Sequence, residues 1–177
     1  MKLTWKSPKL ETRVITLAAF LIALNLSLGK VSIGSPNLVK FGFGFLGTML
    51  IGYFLGPWVG GIAMVIGDIV GNTLLNTGSS FFIGFTFSAF ISGVIAGAFL
   101  YKQNITWQRI AVYEFIQLLV NNVFFTTLWI HLLYQAPIMP LLAVRIPKEI
   151  IMYPIQIVLG LMIIRIVERL PLRNIGN

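Results

Sequence analysis

Long apolar runs separated by short polar turns make up most of this sequence. Asp68 is the one charged side chain in residues 41–101, and residues 14–29 and 115–144 carry no Asp, Glu, Lys or Arg. About 20 apolar residues span the hydrocarbon core of a bilayer. The pattern therefore predicts six transmembrane helices, near residues 13–29, 40–55, 58–75, 81–101, 107–134 and 144–167.

Clusters of turn-forming residues separate these runs. The clusters are Gly34-Ser35-Pro36-Asn37, Gly56-Pro57, Asn76-Thr77-Gly78-Ser79-Ser80, Gln103-Asn104 and Gln135-Ala136-Pro137. Gly, Pro, Asn and Ser interrupt helices and favour turns. The first run follows a basic N-terminus, but no small-residue cleavage site comes before the next run, so we treat it as a helix rather than a signal peptide. We expect residues 1–177 to form a single all-α transmembrane domain without a soluble linker.

Composition supports a membrane protein. The chain is 57% hydrophobic and 10% charged, which a soluble domain of 177 residues could not bury in one core. The net charge of +8 does not indicate nucleic acid, because the basic residues stand singly at the ends of apolar runs. Without cysteine, disulfides and cysteine-metal sites are excluded.

The basic residues also predict an orientation. When the charges are assigned to alternate sides of the predicted helices, one side collects nine, Lys2, Lys6, Lys9, Arg13, Lys102, Arg109, Arg165, Arg169 and Arg173. The other side collects four, Lys30, Lys40, Arg145 and Lys148. The positive-inside rule then places both termini of this multi-pass protein in the cytoplasm.

A polar stripe lies on the third predicted helix. Asp68, Asn72 and Asn76 recur at four-residue spacing, so they share one face that runs from mid-membrane to the outer surface. Polar groups in hydrocarbon are costly, so this face must contact protein or a cavity. Two interpretations remain open: Asp68 pairs with a basic residue while the asparagines bridge helices, or the stripe lines a cavity.

A basic cluster opens the sixth predicted helix in the sequence Arg145-Ile-Pro-Lys148-Glu149. Long basic side chains at a helix end can simply reach the lipid headgroups. Alternatively, a guanidinium and an ammonium three residues apart, joined by Lys40 of the second helix, form an anion site suited to carboxylates.

Aromatic and amide side chains crowd the same outer half. Most of the aromatics are expected to face lipid, but some can pack on a flat heterocycle, and the amides can either join helices or contact a ligand. The candidates for a pocket are Phe43, Phe45, Phe82, Trp129, Asn121 and Asn122.

Small residues at four-residue spacing provide smooth helix surfaces. Gly67-x-x-x-Gly71 and the series Ala89, Gly93 and Gly97 are expected to serve internal packing. Ala19-x-x-x-Ala23 in the first helix either packs internally in the same way or meets a partner protein.

Several function classes are excluded or disfavoured. The chain has no Gly-x4-Gly-Lys-Ser/Thr loop, no metal-ligand spacing around its single histidine, His131, and no plausible catalytic triad. We therefore expect no enzyme activity, no cofactor and no metal. The lack of an internal repeat or a continuous polar path disfavours a self-sufficient carrier or channel.

Motifs along nearly the whole chain resemble a known family. They are Ala19-x-x-x-Ala23, Lys-Phe-Gly-Phe-Gly-Phe-Leu-Gly (40–47), Phe-Leu-Gly-Pro-Trp-Val-Gly-Gly (54–61), Gly-Asp-x-x-Gly (67–71), Phe-Phe-Ile-Gly-Phe-Thr-Phe-Ser-Ala (81–89) and the Arg145 segment. Together they resemble the substrate-binding S components of energy-coupling factor (ECF) vitamin transporters, and among these the folate-specific members.

The resemblance implies a high-affinity folate-binding subunit that docks on a transmembrane coupling subunit carrying two separate ATPases. It also implies that Ala19 and Ala23 contact the coupling subunit and that the outer helix ends and the first loop enclose the vitamin. From their chemistry, we assign Arg145, Lys148 and Lys40 to the glutamate carboxylates, the four pocket aromatics to the rings, and Asn72, Asn121 or Asn122 to the pterin edge. Another vitamin, such as pantothenate or riboflavin, remains an alternative.

Overall fold

The structure, a computed structural model, describes residues 2–33, 41–73 and 82–169. Its elements in chain order are α1 (Thr12–Lys30), β1 (Ser32–Ile33), β2 (Phe41–Gly42), α2 (Gly44–Thr73), α3 (Ile83–Leu100), α4 (Trp107–Gln117), a π-helical segment (Leu118–Phe125), α5 (Thr126–Tyr134) and α6 (Ile138–Arg169). Within these ranges five stretches are long and apolar enough to cross a membrane: α1, α2, α3, the continuous stretch Trp107–Tyr134, and α6. These stretches confirm the all-helical expectation. The described strands, β1 and β2, are two residues long each and pair with each other in antiparallel orientation.

The second of these stretches contains a break at the predicted turn Gly56-Pro57. Gly56 has a φ of 69° and a ψ of −174°, a backbone conformation that L side chains rarely adopt, and Pro57 has no amide hydrogen to continue the helix. A methyl group added at Gly60 would lie 3.6 Å from the carbonyl oxygen of Ile51. Nine residues of straight helix would separate these positions by about 13.5 Å. The two halves of α2, residues 44–55 and 57–73, therefore lie side by side.

Small residues bring α3 and α1 close to this α2 hairpin. A methyl group at Gly93 would lie 2.6 Å from the carbonyl oxygen of Gly60, and a side chain at Gly97 would overlap the Gly56-Pro57 peptide. On the other face, a methyl group at Gly71 would lie 2.9 Å from Leu26 of α1. Such close backbone approach is the usual basis of helix packing in lipid.

The N-terminal segment closes the end of the bundle where α2 turns. The Thr4 amide donates to the carbonyl of Ala98 at 3.0 Å, and the Trp58 amide donates to Ser7 Oγ at 3.0 Å. Arg109, which is buried, donates from Nη1 to the carbonyls of Lys2 and Phe99 at 3.1 and 2.9 Å. The N-terminal segment thus covers the turn of α2.

The predicted helix boundaries are correct to within a few residues except at the sixth helix. That helix begins at Ile138 rather than near residue 144. Pro140 lies in its first turn, where a missing amide hydrogen costs no helical hydrogen bond, so this proline does not delay the helix. As a consequence, Arg145 lies about two turns and Lys148 nearly three turns inside α6 instead of at its first residues.

Candidate functional site

A cavity of about 190 Å³ lies where α2, α3, α4, the π-helical segment and α6 meet. We call it the central cavity. Its lining is mostly polar and consists of Phe45, Thr48, Ser92, Tyr113, Glu114, Gln117, Leu118, Asn121, Asn122 and Gln156. Polar groups between membrane-spanning helices are costly unless they are paired or contact a ligand, so the lining indicates a binding site.

Three polar residues of one helix face form a ladder along the cavity. Glu114, Gln117 and Asn121 are spaced at i, i+3 and i+7, which places them on the same side of the helix. Gln117 is fixed, because its Nε2 donates to Ser92 Oγ at 2.9 Å and to Tyr113 Oη at 3.2 Å, while its Oε1 accepts from Asn121 Nδ2.

Two acceptor atoms of this ladder are left over. Glu114 is 3% exposed, and its Oε1 has no hydrogen-bond partner among residues 2–33, 41–73 and 82–169. The same holds within those ranges for Asn121 Oδ1. Buried polar atoms without partners are uncommon and call for an explanation, and two of them beside one cavity suit a ligand that donates N–H or O–H groups.

The π-helical segment connects the ladder to α6. The carbonyl of Asn121 accepts from the amide of Thr126, five residues on, and from Thr126 Oγ1 at 2.6 Å. The next carbonyl, that of Asn122, accepts from Arg145 Nη1 at 3.3 Å. π-Helical turns are rare and often occur at functional sites, and here the segment carries both cavity asparagines.

The basic cluster lies next to this connection. Arg145 is half-buried beside Asn122, and Lys148 Nζ lies 3.8 Å from Oε1 of the buried Glu149. Glu149 Oε2 is without a hydrogen-bond partner in the described part of the chain. Among the described residues the Arg145 guanidinium donates to the carbonyl of Asn122, which leaves it further N–H groups. Lys40, the third residue assigned to this anion site, lies outside the described residues.

Phe82 and Trp129 belong to an aromatic cluster between α3 and α5. Their ring centroids are 5.7 Å apart at an edge-on angle, and Trp129 stacks on Phe125 at 5.9 Å. The Trp129 indole donates from Nε1 to Ser88 Oγ at 2.7 Å. The cluster is thus held in one orientation, but neither Phe82 nor Trp129 is in the lining of the central cavity.

A second cavity, of about 240 Å³, lies between α1, α2 and α3. The predicted polar stripe faces it: Asp68 accepts from Asn72 Nδ2 at 2.9 Å and from Thr86 Oγ1 at 2.7 Å. Lys30 and Asn25 also line this cavity. The stripe therefore lines a cavity, as one interpretation predicted. Asp68 joins α2 to α3 through the hydroxyl of Thr86, and within the described residues it forms no ion pair of the kind that the other interpretation predicted. Asn76 lies outside the described residues.

The predicted site residues are only partly brought together. Phe45, Asn121 and Asn122 line the central cavity, and Arg145 contacts it through Asn122. Asn72 lines the second cavity instead, because four-residue spacing fixes the face of a helix but not the helix that it meets. Phe43, whose amide donates to the carbonyl of Val31 at 3.3 Å, is in the lining of neither cavity.

Sequence reasoning missed five buried residues of the central cavity: Thr48, Tyr113, Glu114, Gln117 and Gln156. In the sequence, Glu114 directly precedes the uncharged run 115–144, and no role was assigned to it. Glu114 lies within the predicted helix 107–134 on the same face as Gln117 and Asn121, and this shared polar face could have indicated a site. Gln156 stands alone among apolar residues of α6, and its sequence neighbours gave no comparable pattern.

The two alanines of α1 lie on its exposed side. Ala19 and Ala23 are both exposed, whereas Val14 and Leu21 face the hydrophobic core formed with α2. Internal packing of the alanines, one of the two readings of their spacing, does not occur in the described part of the chain. The described ranges also contain no group of three or more His, Asp or Glu able to hold a metal ion.

Comparison with known proteins identifies relatives along most of the chain. Residues 13–164 match the family described as the substrate-specific component of the ECF transporter. A protein of Leuconostoc mesenteroides subsp. mesenteroides named folate transporter FolT is 34% identical over 87% of this chain and 85% of its own length. A FolT of Clostridium novyi is 30% identical over 93% and 95%.

A solved structure described as FolT bound with folic acid matches the fold. It superposes with a TM-score of 0.79 at 31% sequence identity, and the match covers 86% of this chain and 93% of the other.

Proposed function

The chain belongs to the substrate-specific components of ECF transporters, and we propose that it is the folate-specific member that binds the vitamin for uptake. It carries no enzymatic activity of its own, in keeping with that family. Relatives named as folate transporters and a homologue bound with folic acid support folate as the substrate.

The observation that carries this assignment is the shape and polarity of the central cavity together with Arg145. Folate is a flat pteridine joined through an aminobenzoyl ring to a glutamate with two carboxylates. A cavity of about 190 Å³ is smaller than usual pockets for drug-sized ligands, so it suits one ring system of the vitamin. The remainder would extend past Asn122, which lies about 12 Å from Glu114 along the helix, toward the guanidinium of Arg145.

At the level of residues, we propose that Arg145, Lys148 and Lys40 bind the glutamate carboxylates. A guanidinium binds carboxylates in a forked geometry, and the half-buried position of Arg145 strengthens the contact. Phe45 of the cavity and the rings of Phe82 and Trp129 pack on the aromatic parts, with Phe43 nearby in sequence. Asn121 and Asn122 contact the pterin, and Asn72 contributes only if the ligand reaches the second cavity.

We further propose six membrane spans with both termini in the cytoplasm of the prokaryotic cell. The two halves of α2 count as separate spans because they run side by side from the turn at Gly56. The basic N-terminal segment covers that turn, which suits the cytoplasmic end, and the central cavity then faces outward.

The proposed partners are a transmembrane coupling subunit and two ATPases, because nothing in the sequence suits ATP hydrolysis. The exposed Ala19 and Ala23 provide the surface for the coupling subunit. Small residues let two helices approach closely in lipid, where no hydrophobic effect drives them together.

Equilibrium binding tests the assignment. The purified chain in detergent is titrated with labelled folic acid, and pantothenate and riboflavin are added as competitors. We expect saturable binding of folic acid that excess folic acid abolishes and that neither competitor affects. Displacement by pantothenate or riboflavin at comparable concentrations would assign a different vitamin, and absence of any saturable binding would refute the proposal.

A further inference from the structure

Glu114 is a buried carboxylate that no internal interaction explains. It is 3% exposed and lines the central cavity, and its Oε1 lacks a partner within residues 2–33, 41–73 and 82–169. In those same ranges the ion pair that forms joins Lys148 to Glu149 and does not include Glu114. Burying a carboxylate oxygen without a donor is unfavourable, so the position implies a donor that arrives with the ligand.

The neighbours of Glu114 define what kind of donor fits. Gln117 is occupied by Ser92, Tyr113 and Asn121, so it adds no free donor at this point. The unpartnered atoms beside the cavity, Glu114 Oε1 and Asn121 Oδ1, are both acceptors. The lining therefore offers acceptor oxygens at Glu114 and Asn121 to a ligand group that donates N–H.

The pyrimidinone edge of a pterin has this character. Its N3–H and its 2-amino group form two adjacent coplanar donors, the same arrangement that lets a guanidinium bind a carboxylate in a forked pair. We propose that Glu114 accepts hydrogen bonds from this 2-amino-4-oxopyrimidine edge and is the residue that selects a pterin in the central cavity. The inference rests on the proposed function, since it specifies which part of folate occupies the cavity.

The arrangement also fixes the direction of the ligand. With the pterin edge at Glu114, the aminobenzoyl ring lies beyond Asn122 and the glutamate lies at Arg145. Glu114 and Arg145 then act on opposite ends of the vitamin, and changes at the two residues should be separable by ligands that lack one end.

The test pairs one substitution with one change in the ligand. Purified wild-type protein and Glu114→Gln are titrated with folic acid and with a folic acid analogue that lacks the 2-amino group. Glutamine keeps the size of the side chain but removes the charge and one acceptor oxygen. We expect Glu114→Gln to weaken folic acid binding by about 10–100-fold, the weight of charge-assisted hydrogen bonding, and to change binding of the analogue far less.

Glu168→Gln, an exposed glutamate near the end of α6, is the matched control and should bind both ligands as the wild type does. Equal losses for both ligands in a folded Glu114→Gln protein, or no loss for folic acid, would overturn the inference. If Glu114→Gln does not fold, the wild-type protein alone provides the test. Equal wild-type affinities for folic acid and for the analogue would refute recognition of the 2-amino group. Wild type that binds no folic acid refutes the proposed function itself.

Discussion

Arg145 of α6 donates a hydrogen bond from Nη1 to the backbone carbonyl of Asn122, 3.3 Å away in the π-helical segment. This contact joins the basic cluster to a residue that lines the central cavity. A guanidinium held by one nitrogen keeps its remaining N–H groups for a ligand carboxylate. The contact places a cation about two turns inside α6 beside a cavity that α6 itself lines through Gln156.

The first prediction concerns the charge at position 145. Arg145→Ala should weaken folic acid binding by about 10–100-fold, because it removes charge-assisted hydrogen bonds to the glutamate carboxylates. Arg145→Lys should recover part of the loss, since an ammonium keeps the charge without the forked geometry. Calorimetric titration of the purified proteins measures both effects.

Pteroic acid, which lacks the glutamate, separates this role from a structural one. Its binding should respond little to Arg145→Ala, and Arg165→Ala, at an exposed position of the same helix, should leave both ligands unaffected. An equal loss for pteroic acid and folic acid would contradict the anion-site assignment.

The second prediction compares two adjacent threonines at the end of the π-helical segment. Thr126 Oγ1 donates to the carbonyl of Asn121 at 2.6 Å, whereas the buried Thr127 Oγ1 has no partner within the described ranges. Removing a made hydrogen bond costs stability, and removing a buried unpaired hydroxyl does not. Thr126→Val should therefore destabilise the protein by about 1 kcal/mol, and Thr127→Val should be neutral or stabilising.

Unfolding midpoints of the purified variants in detergent test this pair, and each valine serves as the control for the other because the change in shape is the same. A larger loss for Thr127→Val than for Thr126→Val would mean that the Thr127 hydroxyl is bonded and that the π-helical segment does not depend on Thr126.

The third prediction concerns the close approach of α3 to the turn in α2. A side chain at Gly97 would overlap the Gly56-Pro57 backbone, which cannot move without disturbing the hairpin. Gly97→Ala should therefore reduce the yield of folded protein strongly, as overpacking against backbone does. Gly29→Ala, where no atom lies within 4 Å of the added methyl, should be tolerated. Monodisperse yield after size-exclusion chromatography distinguishes them, and a well-folded Gly97→Ala would show that the packing has room.

Sequence reasoning located the helices because apolar length and turn chemistry are local properties. The turn at Gly56 followed directly from a glycine that precedes a proline. The site was harder to predict, because Asn72 and Asn121 look alike in sequence. Only the packing of α2 and of the π-helical segment places them in different cavities. Glu114 was overlooked because it directly precedes the uncharged run 115–144 and was taken only as the boundary of that run.

The last prediction concerns the exposed face of α1 and separates binding from transport. Ala23→Trp places a large ring on a surface that, in the proposed complex, lies against the coupling subunit. Because Ala23 lines neither cavity, folic acid affinity of the purified variant should stay within about twofold of wild type, as for other surface substitutions. Folate uptake by cells that express the complete transporter should fall strongly, since bulk at a small-residue interface keeps the helices apart. Val158→Trp, at an exposed position of α6, is the control and should retain uptake. Full uptake by Ala23→Trp would show that the coupling subunit binds elsewhere, and loss of binding by the purified variant would place Ala23 in the structure of the pocket instead.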